Sequence, residues 1–389
     1  MDPYANEWLD LLVRWLHVVA AIAWIGSSFY FIALDNHLRP SADEADSERG
    51  VGGEAWEIHG GGFYQVQKYR AAPRPLPEPL HWFKWEAYTT WLSGFSLLIV
   101  LYYVNADTYM IDKSVADLRP WQAIAISVGL LVAGWLVYDA LCRSLRSDVA
   151  IAVALLALVT LTAWGVSHLF AGRAAYIQIG AMLGTMMAAN VFFVIIPAHW
   201  ELIRAKEAGR EPSAAAGQRA KQRSVHNNYL TLPVLFTMIS NHFPFTYGHA
   251  HAWLILVALL VIGAWVRHFF NLRHTGRAAW WIPVTAAAAI AVVAVAIRPG
   301  GSSGGTAVRF SRAQSIVQER CVPCHSAHPT KVNAAPMGIV FDTPKEIRSQ
   351  ANLIEQVAVN TKVMPLGNQT GMTQAERDTL GAWIRQRAK

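Results

Sequence analysis

The sequence predicts an all-α protein, a bundle of eight transmembrane helices followed by a small soluble helical domain. Three observations lead there. Apolar residues make up 53% of the 389 and charged ones only 15%, with sixteen Trp, a balance foreign to disordered chains and to ordinary soluble enzymes. Eight apolar stretches fall in residues 1–298, each near the ~20 residues a helix needs to cross a bilayer. Residues 307–389 are polar and helical in pattern. They close on "TQAERDTLGAWIRQRAK", where Thr373 and Glu376 have the spacing of a capping box.

The first stretch, Leu9 to Leu34, follows an acidic start ("MDPYANEWLD") with no basic segment and no small-residue cleavage site. It is too long for a signal-peptide core, so it is expected to remain as the first helix. The others are residues 85–104, 121–141, 149–170, 174–197, 229–247, 249–270 and 280–297. The sixth of the eight, 229–247, is the most interrupted, because Asn241, His242 and Pro244 fall at its end. Residues 299–306, rich in Gly and Ser, read as a flexible linker. The expected organisation is therefore 1–298, 299–306 and 307–389.

The net charge of +7 does not form one interleaved basic patch, which argues against nucleic acid as a partner. Lys and Arg instead concentrate in the connections after the first, third, fifth and seventh helices. Cytoplasmic loops carry that excess. The lipid bilayer is thus the expected partner, as a multi-pass protein of a bacterial inner membrane. The N-terminus and the C-terminal domain are then expected on the periplasmic side.

Only three cysteines occur, so a disulfide framework is excluded. Two of them lie in "RCVPCHSAHPT", a CxxCH motif made by Cys321, Cys324 and His325. Two thiols at this spacing add across the vinyl groups of a haem, and the adjacent imidazole ligates its iron. The motif predicts one covalent haem c. Met364 in "KVMPLGN" is the leading sixth ligand, with Met337 and Met372 as rivals. A zinc half-site is the alternative, but no second Cys pair completes one. The order of helix, motif, Met loop and helix resembles class I cytochrome c domains.

Ionisable residues inside spans are costly and point to function. In the predicted topology His17, His168, His242, His249 and His251 gather toward the outer leaflet, where they are candidate ligands of haem b. The plainer alternative is that they cap helix ends at the polar interface. Arg14, three residues before His17 and on the same face, is a candidate for a propionate or an anionic substrate, or simply snorkels. The remaining histidines are dispersed toward the inner side. There, "WEIHGGGFYQVQKYR" and "HWFKWEAYTTWLSGF" combine glycine, aromatic and basic residues. Three consecutive glycines would permit close approach of a planar ligand; the alternative is a loop anchored at headgroup level by Trp and Tyr. His81 and Glu86 are weak candidates for a catalytic base.

The segments "RWLHVVAAIAWIGSSFYFIALDNHL", "EIHGGGFYQVQKY", "LHWFKWEAYTTWLSGF" and "MISNHFPFTYGH", followed by a CxxCH domain, resemble the bacterial membrane-bound urate oxidase (urate hydroxylase) family. In that family a multi-span domain is fused to a cytochrome c. The resemblance implies oxidation of urate to 5-hydroxyisourate in purine catabolism. Electrons would pass through haem to a respiratory acceptor, either a soluble cytochrome c or a terminal oxidase. It fixes no substrate residue and leaves a homo-oligomer open. No GxGxxG fingerprint is present, so haem is the available electron acceptor. The competing reading is a non-catalytic membrane cytochrome that passes electrons from quinol or a partner dehydrogenase. A transporter with a redox tail lacks visible internal repeats.

Overall fold

The computed structural model describes residues 3–73, 75–298 and 308–387. The predicted linker, 299–306, lies outside the described residues. Helices occupy all eight predicted apolar stretches, and the molecule is mostly helical. They are α1 (Pro3–His37), α2 (Trp85–Leu97, continued by a π turn Leu98–Tyr103), α3 (Pro120–Ser144) and α4 (Asp148–Ser167). After these come α5 (Gly172–Asn190), α6 (Ala214–Ile239), α7 (Ala252–His274) and α8 (Trp281–Ala296).

Among the described residues, five helical segments are long and apolar enough to cross a membrane: Trp8–His37, Pro120–Ser144, Asp148–Ser167, Gly172–Glu207 and Ala252–His274. α8 is apolar but only 16 residues long, about 24 Å at 1.5 Å per residue and short of a bilayer core. α5 does not stop near residue 197. It passes through a π turn, Val191–Ile195, into Ile196–Glu207, and the widened turn accommodates Pro197, which has no N–H to donate.

α6 departs most from expectation. It begins at Ala214, where the Ser213 side chain accepts from the Ala216 N–H, and ends at Ile239 rather than spanning 229–247. Its polar residues divide between two faces: Gln218, Arg219 and Lys221 are exposed, whereas Arg223, Asn227 and Asn228 turn inward and are buried. A polar stretch was legible as a loop; here it is a helix whose polar face meets other polar groups. Gly180 lets α5 approach α6, since a Cβ there would fall 2.1 Å from Thr237 Oγ1. The bundle core gathers Tyr138, Tyr176, Met182, Met186 and Leu256.

The all-α expectation also needs correction. Val51–His59 (β1) and Gly62–Tyr69 (β2) pair antiparallel, with His59 opposite Gly62. Gly60 and Gly61 both have positive φ (58° and 81°), which a two-residue type I′ turn requires and glycine supplies without strain. The triple glycine thus forms a hairpin turn. The hairpin is tied to the end of α1 by Tyr30 Oη donating to Glu57 Oε2 (2.8 Å) and Lys68 Nζ to Asp35 Oδ1 (2.6 Å). It exposes Trp56, Ile58, Phe63 and Tyr64, a composition suited to a headgroup interface.

In the C-terminal domain α9 (Phe310–Arg320) packs on α12 (Gln374–Arg387), with Phe310 and Trp383 ring centroids 5.5 Å apart. Between them lie the short helices α10 (Pro344–Ser349) and α11 (Ala351–Ile354). Ile316, Val317, Ile354, Leu380 and Ile384 fill the core. Thr373 and Glu376 form the reciprocal cap of α12, at 2.7 and 3.3 Å. The domain rests on the bundle end that carries the connections after α2, α4 and α6. Gln369 Nε2 donates to Thr108 Oγ1 (2.7 Å), and Gly248 lies so close that a Cβ there would fall 1.8 Å from the Thr361 carbonyl oxygen.

Candidate functional site

The chain of α9 continues for one more helical turn past Arg320. The Cys324 and His325 N–H groups both donate to the Cys321 carbonyl, at 3.1 and 2.9 Å. This turn sets the two thiols and the imidazole on neighbouring positions of one face. His325 Nδ1 faces the Ile339 carbonyl at 3.0 Å. A carbonyl can only accept, so Nδ1 carries the proton and Nε2 keeps its lone pair for a ligand. Cys321 and Cys324 are free, and burial pushes the Cys321 thiol up to about 12.

The three methionines differ. Met337 is 94% exposed, and Met372 is 3% exposed within the core. Met364 is half-buried against the cluster that Cys321 also joins, and its carbonyl accepts from Arg377 Nη1 at 2.7 Å.

Inside the bundle, a cavity of about 310 Å³ opens among α1, α2, α5 and α6. His17 and His242 both line it. His17 Nδ1 meets the Thr90 carbonyl (3.0 Å) and Ser93 Oγ (3.1 Å), which again leaves Nε2 as the free nitrogen. Gly94 allows this seat, since a Cβ there would fall 2.8 Å from His17 Cε1. Gly184 also lines the cavity with no heavy atom within 4 Å of where its Cβ would be, so open space faces its backbone. A half-buried His17 imidazole beside glycine-lined space, with the exposed His242 at its edge, is a donor set compatible with a planar macrocycle. A haem iron needs only one or two protein donors, and among the described residues no cluster of three or more His, Cys, Asp or Glu offers another metal site.

The five histidines expected together are divided. His168 and His249 line a second cavity, about 440 Å³, between the bundle end and the C-terminal domain. His168 is exposed, with Nδ1 on the Trp164 carbonyl at 2.7 Å. His249 Nδ1 accepts from the His251 N–H (3.0 Å), and His251 is exposed and lines neither cavity. The divergence follows from α6 ending at Ile239: the short turn Pro244–Tyr247 carries His249 away from His242 toward the C-terminal domain.

Arg14, the candidate for a propionate or an anionic substrate, lines the His17 cavity and is bound to Asp10 at 2.7 Å. His81 is exposed, edge-on to Phe83. Glu86 is half-buried in the first turn of α2, with Oε2 buried and unpartnered. Neither His81 nor Glu86 lines either cavity.

Two buried arginines of the bundle escaped the sequence reading. Arg223, on α6, donates to Asp139 Oδ1 (2.7 Å) and Asn190 Oδ1 (3.2 Å) and lies over the Tyr138 ring at 4.9 Å. Arg267, on α7, donates through Nε to Asn228 Oδ1 (2.8 Å) and stacks 3.8 Å from the Phe29 ring centroid. Arg267 falls inside an apolar stretch, where a charge is itself a signal.

Comparison with curated proteins and with solved structures gave no match. Residues 3–298 match the family model described as "Urate oxidase N-terminal". The match spans the eight helices, the hairpin and the His17 cavity, and so the chain belongs to the Urate oxidase N-terminal family.

Proposed function

We propose that the chain is a membrane-bound, cytochrome c-linked urate oxidase that converts urate to 5-hydroxyisourate. The balance is urate plus water giving 5-hydroxyisourate, two protons and two electrons. The observation that carries this reading is the pairing, in one chain, of a family bundle with a docked CxxCH domain. Haem, when bound, supplies one-electron acceptors that pass their electrons on.

The protein's own residues divide the remaining work. Cys321 and Cys324 would anchor haem c, His325 would offer its iron Nε2, with Nδ1 held by the Ile339 carbonyl, and Met364 would offer its thioether. His17, with His242 also on the cavity wall, would be the donor for a haem b in the bundle. Gly248 and the Gln369–Thr108 hydrogen bond keep the C-terminal domain on the bundle end. In the bilayer we take all eight helices as crossing, the short α8 by local thinning of the bilayer, with the N-terminus and the C-terminal domain periplasmic and the basic connections cytoplasmic. The final acceptor is then a soluble cytochrome c or a terminal oxidase.

The test is cofactor and product together. Purified protein should give both c-type and b-type pyridine haemochromes, and with ferricyanide it should form 5-hydroxyisourate at two electrons per urate. His17→Ala should lose the b-type signal and keep the c-type. Both haems without product would sink the enzymatic reading; product from a haem-free protein would sink the electron route.

A further inference from the structure

Arg267 and Asn271 are four residues apart on α7 and therefore share a face. Both are buried, at 4% and 8% exposure. Each keeps one buried polar atom without a hydrogen-bond partner among the described residues: Arg267 Nη2, a donor, and Asn271 Oδ1, an acceptor. Buried polar groups are almost always paired, and an unpaired guanidinium N–H is among the costliest exceptions. Among the described residues no carboxylate forms an ion pair with Arg267. A water molecule could answer one atom or the other but would leave the positive charge uncompensated.

The surroundings are built. Asn228 holds Arg267 Nε and is itself tied to α1, its Nδ2 donating to the Ser28 carbonyl at 3.3 Å. Phe29 lies under the guanidinium. Asn36 Nδ2 donates to the Asn271 carbonyl at 3.3 Å. Thr231, which donates to the Asn228 carbonyl at 2.6 Å, lines the His17 cavity, as does Ile25 on α1, three residues before Ser28. Asn228, the residue that holds Arg267, thus stands roughly one helical turn, ~5 Å along its helix, from Thr231 on the wall of that cavity.

We propose that Arg267 and Asn271 bind the substrate, a planar purine anion. Its anionic edge takes the free Arg267 N–H, and one of its ring N–H groups donates to Asn271 Oδ1. The proposal rests on the urate reading and adds the site to it. Urate presents both complements.

The test is equilibrium dialysis of radiolabelled urate against the full chain in nanodiscs, with haem spectra and thermal unfolding recorded without urate. Arg267→Met should weaken binding by about 10- to 100-fold and Asn271→Leu by about 10-fold. Asn271→Leu also removes an unpaired acceptor, so its unliganded Tm should not fall; a merely structural Asn would lower it. Wild-type affinity in Asn271→Leu would overturn the proposal even if Arg267→Met did not fold. Urate binding by wild type with unchanged affinity in both variants would remove this site and leave the urate reading standing. No binding by wild type would remove the reading itself.

Discussion

Arg223 and Arg267 are each 4% exposed, on helices packed against one another, yet they have opposite surroundings. Arg223 has a carboxylate, an amide oxygen and a tyrosine ring, and its neighbours continue the network, Asn190 donating to Asn227 Oδ1 at 2.8 Å. Arg267 has one amide oxygen, a phenylalanine ring and an N–H with no acceptor among the described residues. A buried charge that is fully answered belongs to the scaffold. One that is half answered points to a molecule that completes it.

The largest effect should come from breaking the complete pair. Asp139→Ala leaves Arg223 buried and unpaired and should cost about 3–5 kcal/mol, read as a lowered thermal midpoint of the whole bundle. The double change Asp139→Leu with Arg223→Met should recover most of that loss, because apolar replacement of a buried pair is often neutral. If the double variant is as unstable as the single one, Asp139 acts through something other than Arg223. Arg267→Met removes a charge that has no counter-charge among the described residues but leaves Asn228 Oδ1 without its donor, so it should cost about 1–3 kcal/mol, less than Asp139→Ala. A loss as large as that of Asp139→Ala would erase the contrast.

A third arginine lies outside the bundle. Arg320 Nη2 meets Glu376 Oε1 at 2.9 Å, where its companion is again a carboxylate. Burial raises the Glu376 carboxyl, but hydrogen bonds from Arg320 and the Thr373 cap outweigh it and hold it below the ordinary range. A depressed carboxyl pKa contributes stability above the unfolded-state value of about 4.3, and that stability is lost as pH falls through the lower folded value. The C-terminal domain should therefore weaken only in that acid window, and Glu376→Gln should flatten the dependence. An unchanged acid profile in that variant would detach Glu376 from the domain's stability. The effect is the smallest of the set.

Much of this was legible in the sequence. Apolar runs marked where the helices lie, and the spacing of Cys321, Cys324 and His325 marked their turn. What was hidden had specific causes. Arg223, Asn227 and Asn228 made the start of α6 read as a connection, since polarity identifies a loop only when it faces water; here it faces Asp139, Asn190 and Ser28. Gly60 and Gly61 suggested close approach to a ligand, whereas their positive φ closes a hairpin whose strands carry few alternation signals. His17 was visible as an imidazole inside a span, but its orientation depends on Thr90 and Ser93, more than seventy residues away. The partition of the other histidines depended on where α6 ends, which Asn241 and Pro244 blurred.

The central claim is that electrons from urate pass through the bundle to the CxxCH domain. Its most direct test is to mix urate anaerobically with the oxidised, full-length protein and follow the haem bands. The account predicts that the haem c band becomes reduced as 5-hydroxyisourate appears, and that Arg267→Met loses this reduction by urate while dithionite still reduces the haem fully. A spectrum unmoved by urate but reduced by a quinol would contradict it, and the chain would then be an electron-transfer subunit.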